Sequence, residues 1–247
     1  MTGGPGLPKR VGLADRLDEV RHRIESASAD PSSVRIVAVT KGFPADAVKM
    51  ALAAGLTDIG ENYADELVAK AAAIAAGSAG GPLSRPGPVW HYLGAVQRNK
   101  VARLAPVVTW WEAVSRVEEG TAIARRSPGA TVLVQVDVAG IAGRGGCAPD
   151  RVADLVGALR DEALDVAGLM AVGPPGPPED SRPGVTLVSR LADQLTLPVR
   201  SMGMTDDLEV AVSEGSTMVR LGRALFGPRA AKPRPSPARP RPPLDRP

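Results

Sequence analysis

Apolar and polar positions alternate along this chain in two rhythms. The stretch VGLADRLDEVRHRIESAS (residues 11–28) repeats its apolar side chains every three or four positions and predicts an amphipathic helix. Short β-branched runs then recur at VRIVAVT (34–40), TDIGE (57–61), WHYLGA (90–95), VVTWWE (107–112), TVLVQVDV (131–138), VAGLMAV (166–172), VRSMGM (199–204) and TMVRLG (217–222). Helical patterns fill the gaps, among them ADAVKMALAAG (45–55), with Gly55 as its stop, APDRVADLVGALRDEAL (148–164) and DDLEVAVSEG (206–215). Eight strands alternating with helices predict an α/β fold: a single (β/α)8 TIM-like barrel with an extra N-terminal helix, in preference to an open doubly wound sheet.

Length agrees with one large core, since 247 residues are 44% hydrophobic. The barrel domain is expected over residues 11–227, after a flexible N-terminus at 1–10. Residues 77–88 and 172–184 are rich in glycine and proline and read as loops within the domain. Residues 228–247 hold eight prolines, six Lys/Arg and one Asp, which predicts a disordered tail with polyproline character. That tail carries +5 of a total charge of +3, so the remainder is mildly acidic at −2. With only 3% aromatics as well, a nucleic-acid partner is not expected. No long apolar run predicts a membrane span, and a lone cysteine, Cys147, permits no internal disulfide. The expected location is the cytoplasm.

Candidate chemistry begins at Lys41, at the C-terminal end of the first strand, where barrels gather functional groups. If Val37 and Val39 point inward, alternation points Lys41 inward too. An amine partly withdrawn from water there could attack a carbonyl and form a Schiff base, while an isolated lysine could equally snorkel to solvent or pair with a carboxylate. The opposite edge supplies a second element. Thr205, Arg220 and Gly222 lie after the seventh strand and at the end of the eighth, a frequent phosphate site in barrels. The Thr205 hydroxyl could instead cap a helix beginning at Asp206 and Asp207.

The motifs AVTK, GENYADE, WHYLGAVQRNK, GLMAV, SMGMTDDLEVAV and GSTMVRLGRALFG, in this order from about Val34 to Gly227, resemble the pyridoxal phosphate homeostasis protein family. The resemblance implies a barrel like the N-terminal domain of alanine racemase, a fold-type III domain, with pyridoxal 5′-phosphate (PLP) covalently held as a Schiff base on Lys41. It implies that Asn62 lies beside the cofactor ring. It also implies a phosphate cup built from Ser201, Gly203, Met204 and Thr205 on one side, with the backbone amides of Gly222 and Arg223 on the other. Arg220 would face the pyridine nitrogen. A guanidinium cannot accept a proton, so a ring facing one stays neutral and is a weaker electron sink.

Alanine racemase draws its second base, a tyrosine, from a separate domain. The only tyrosines here, Tyr63 and Tyr92, hold no corresponding place. The chain is therefore expected to act, as a monomer, in intracellular PLP (vitamin B6) homeostasis, with PLP-dependent apo-enzymes as recipients. The alternatives are a racemase-like PLP enzyme and a cofactor-free Schiff-base aldolase. His91, Trp110, Trp111 and Cys147 are assigned no chemistry.

Overall fold

A computed structural model describes residues 12–77, 87–141, 143 and 145–228. The N-terminal ten residues, the tail beyond Pro228 and most of the 77–88 loop lie outside the described residues. The chain runs through α1 (Leu13–Ala27), β1 (Arg35–Val39), α2 (Ala45–Ala53), β2 (Asp58–Glu61), α3 (Ala64–Gly77) and β3 (Val89–Tyr92). It continues through α4 (Arg98–Leu104), β4 (Trp110–Val114), α5 (Val117–Ala124), β5 (Thr131–Val136), α6 (Val152–Asp161) and β6 (Asp165–Ala171). It closes with α7 (Arg182–Gln194), β7 (Val199–Ser201), α8 (Leu208–Ser213), β8 (Met218–Leu221) and α9 (Arg223–Phe226).

All eight strands are parallel and join in sequence order into a closed barrel, completed by pairing of β1 with β8. The strand period of two sorts side chains between two apolar layers. Ala38, Ile59, Trp111, Val132, Val134, Leu169, Val219 and Leu221 belong to the large layer that also holds the buried helix residues. Leu133 and Met170, on alternate positions of the same strands, meet Ala113 in a small separate cluster inside the barrel. α1 precedes this repeat and is tied to α8 by two bonds from Arg23 to the Glu209 carboxylate, at 2.6 and 2.7 Å.

Boundaries differ where local chemistry competes with the strand pattern. Val107 and Val108 lie in the turn that closes α4, their amides donating to the Leu104 carbonyl, so β4 starts at Trp110. The loop expected through residue 184 ends earlier, because α7 begins at Arg182. Pro183 sits in its first turn, where a missing N–H costs nothing. Among the described residues, no helix is long and apolar enough to cross a membrane.

β6 and β7 touch closely at Gly168, where an added Cβ would lie 2.0 Å from the Val199 carbonyl oxygen. The neighbour is backbone and cannot rotate away. Gly168→Ala is expected to destabilise the fold by about 3 kcal/mol, near the upper end for overpacking, read as a lower midpoint in urea.

Candidate cofactor-binding site

β1 delivers Lys41 to the barrel mouth. Val37 is in register with Arg220 on β8, and Val39 with Gly60 on β2. A Cβ on Gly60 would strike the side chains of Val37, Val39 and Leu93, so all these positions face the interior. Lys41 follows two residues after Val39 and lines the cavity at the mouth.

The segment around Lys41 is fastened from below by ions. The Lys70 ammonium, on α3, donates to the Thr40 carbonyl at 2.7 Å and to Glu61 Oε1 at 2.5 Å. The Thr40 hydroxyl donates to the same Glu61 oxygen, and Glu66 accepts from both the Gly42 amide and Lys70. Burial pushes the Glu61 carboxyl up despite its bonds to Lys70 and Thr40. Its other oxygen, Oε2, is buried without a partner. The sequence reading missed this cluster, although Lys70 interrupts an apolar helix four residues after Glu66, a spacing that places the two on one face.

Seven of the nine expected residues, Lys41, Asn62, Met204, Thr205, Arg220, Gly222 and Arg223, line one cavity of about 430 Å³. A further stretch of wall is the proline-rich loop 173–178, for which no role was anticipated. Gly203 lies behind the wall with φ +89°, and a Cβ there would sit 2.6 Å from Ala211 Cβ, so only glycine suits this turn. Ser201 is fully buried beneath the cavity. Its hydroxyl accepts from Arg220 Nη1 at 2.8 Å and donates to Glu112 Oε2 at 2.6 Å.

Arg220 forms the floor. Its Nη1 also donates to the Ser201 carbonyl and its Nη2 to the Ala171 carbonyl, committing three of five N–H groups. Burial works against its charge, opposed by the carboxylates of Glu112 and Asp207. On the far wall the Thr205 hydroxyl accepts from the Ala224 amide at 3.2 Å and so braces the start of α9, while Asp207, not Thr205, heads α8. Asp207 takes the Met204 amide at 2.7 Å and Asp206 pairs with the Arg223 guanidinium. Gly222 and Arg223, at the head of α9 where amides lack intrahelical acceptors, line the same cavity as Thr205, Asp206 and Asp207.

The cavity fits PLP on its own chemistry. An amine at the rim suits an aldehyde, amides and a hydroxyl opposite suit a phosphate, and Asn62 Oδ1 is buried without a partner beside the space between.

Residues 16–230 match the family model described as the alanine racemase N-terminal domain. The pyridoxal phosphate homeostasis protein of Pseudomonas aeruginosa is 37% identical over 220 residues, covering 85% of this chain and 91% of that one. The chain belongs to the pyridoxal phosphate homeostasis protein family. Its Aquifex aeolicus member is 32% identical over 235 residues, 89% of this chain and 99% of its own length. Two structures of PipY from Synechococcus elongatus superpose over 87% of this chain and 100% of theirs. The one without PLP has TM-score 0.75 at 29% identity, and the one with PLP bound has 0.73 at 28%. The homeostasis-family barrel is thus shared along almost its full length.

Lys70→Met would leave Glu61 buried without its cation. The expected loss is about 3 to 5 kcal/mol in urea unfolding. Lys49→Met, which removes an exposed pair with Asp46, is expected to cost less than about 1 kcal/mol in the same assay.

Proposed function

We propose that this barrel binds PLP as a Schiff base on Lys41 and holds it for delivery within the cell, acting as a carrier and not as an enzyme. The observation that carries the reading is that Lys41, Asn62, Arg220 and the Gly222–Arg223 turn border one cavity. When bound, PLP supplies an aldehyde that amines can exchange with and a ring that accepts electrons.

The chain's own residues set what can follow. Lys41 takes the aldehyde end, while the Thr205 hydroxyl and the amides of Gly222 and Arg223 take the phosphate. Asn62 flanks the ring. Gly203 and Met204 shape the wall, and Ser201 acts through the guanidinium it holds. Arg220 faces the ring nitrogen with a group that stays protonated, which leaves that nitrogen without a proton and weakens electron withdrawal. Exchange of the aldehyde between amines needs little of that withdrawal, whereas a carbanion at an amino-acid α-carbon is stabilised by it.

The placement of the tyrosines supports a carrier. Tyr63 is exposed and Tyr92 turns its hydroxyl to the Ala95 carbonyl, and neither lines the cavity. The relatives are named as homeostasis proteins. PLP-dependent apo-enzymes of the cytoplasm are the recipients this reading assigns, served by a monomeric barrel.

Purified protein loaded with PLP is expected to give it up to an apo-enzyme while showing no racemisation of free alanine. Turnover approaching the ordinary enzymatic range of about 10 per second would overturn the carrier reading in favour of a racemase-like catalyst.

A further inference from the structure

A line of alternating charge crosses the barrel interior. Arg220, at the cavity floor, contacts Ser201, which donates to Glu112 Oε2. Glu112 Oε1 lies 2.6 Å from His91 Nδ1, and His91 Nε2 lies 2.9 Å from Asp58 Oδ1. Arg35 reaches Asp58 at 3.7 Å near the N-terminal ends of the strands, and its guanidinium stacks 5.1 Å over Trp110, whose ring in turn stacks on His91. The order is guanidinium, carboxylate, imidazole, carboxylate, guanidinium, contributed by β8, β4, β3, β2 and β1. His91 and Glu112 are both wholly buried.

Proton counting narrows the states open to this line. Arg220 has only donors, so Ser201 Oγ accepts from it and, with Glu112 Oε2 unprotonated, gives its own proton to that oxygen. Ionised carboxylates only accept, so an imidazole with a carboxylate oxygen at each nitrogen needs two protons. We infer that His91 carries a proton on both ring nitrogens, and that this buried cation is a positioning residue that keeps Glu112 ionised and thereby sets Arg220 at the cavity floor. The competing arrangement moves one proton onto Glu112 Oε1 and leaves a neutral imidazole. Electrostatics favour the cation: burial opposes the charge on His91, but the hydrogen bonds to Asp58 and Glu112 outweigh it and hold the imidazole above its ordinary value. Burial likewise opposes ionisation of Glu112 and Asp58, and their bonds to His91 outweigh it and hold both carboxyls low.

The proton count stands by itself; its consequence for the cofactor rests on the function proposed above. The test therefore begins without PLP. The full chain, labelled with ¹⁵N-histidine, contains two imidazoles, and a His22→Asn variant assigns them. Both nitrogens of His91 are expected to remain protonated above the ordinary histidine value of about 6.5; a neutral tautomer at neutral pH overturns the inference. Because the folded value is raised, the stability His91 contributes is complete below about 6.5 and fades as pH rises through the folded value. The stability gap between wild type and His91→Gln should shrink accordingly on the alkaline side, and a gap independent of pH contradicts the cation. In PLP-loaded protein, His91→Gln is expected to shift the visible absorption band while PLP stays attached. Ser201→Ala cuts the line nearer the cavity and should shift the band in the same direction, which serves if His91→Gln does not fold. An unmoved band in both variants refutes the positioning role, whereas wild-type protein that never takes up PLP refutes the carrier reading and leaves the proton count standing.

Discussion

A guanidinium buried inside a closed parallel barrel is the constraint around which the rest of this structure is arranged. An unpaired buried charge costs several kcal/mol, and the inward face of a barrel is otherwise filled with apolar side chains. Arg220 is accommodated because β6 and β7 offer it carbonyls, and Ser201 passes its interaction on to Glu112. Glu112 in turn needs His91, and His91 needs Asp58 at the wetter end of the barrel. The apolar cluster of Ala113, Leu133 and Met170 shares the barrel interior with this charged line.

A second ionic system, separate from the first, stands between the sheet and the helices. Lys70 and Glu66 grip the backbone on both sides of Lys41, at the Thr40 carbonyl and the Gly42 amide, and Glu61 holds Lys70 and the Thr40 hydroxyl. The two systems support different walls of one cavity. One fixes the backbone that presents an amine, and the other fixes the cation on the cavity floor opposite. Neither leaves a long flexible side chain to find its place unaided.

Periodicity sufficed for the barrel because eight β-branched runs alternate with helical patterns at a spacing that few other folds accommodate. Seven of the nine residues that the ordered motifs pointed to line one cavity. The residues that escaped notice were those whose meaning is a pairing across distant strands. Glu112 follows two tryptophans and Asp58 opens a four-residue strand, and nothing near either in sequence announces His91 between them. His91 was given no chemistry for the same reason. Ser201 sits in a recognisable motif, yet its inward direction comes from the register of β7 against β6 and β8, which the pattern of one strand does not specify. The proline-rich stretch after β6 was legible as a loop, but its position as a cavity wall follows only from closure of the barrel.

The most direct measurement is borohydride reduction of protein incubated with PLP, followed by peptide mass spectrometry. A yellow band that bleaches, with a pyridoxyl-phosphate mass on the peptide containing Lys41, is the result this account predicts. Protein that stays colourless and shows no adduct on Lys41 would contradict it.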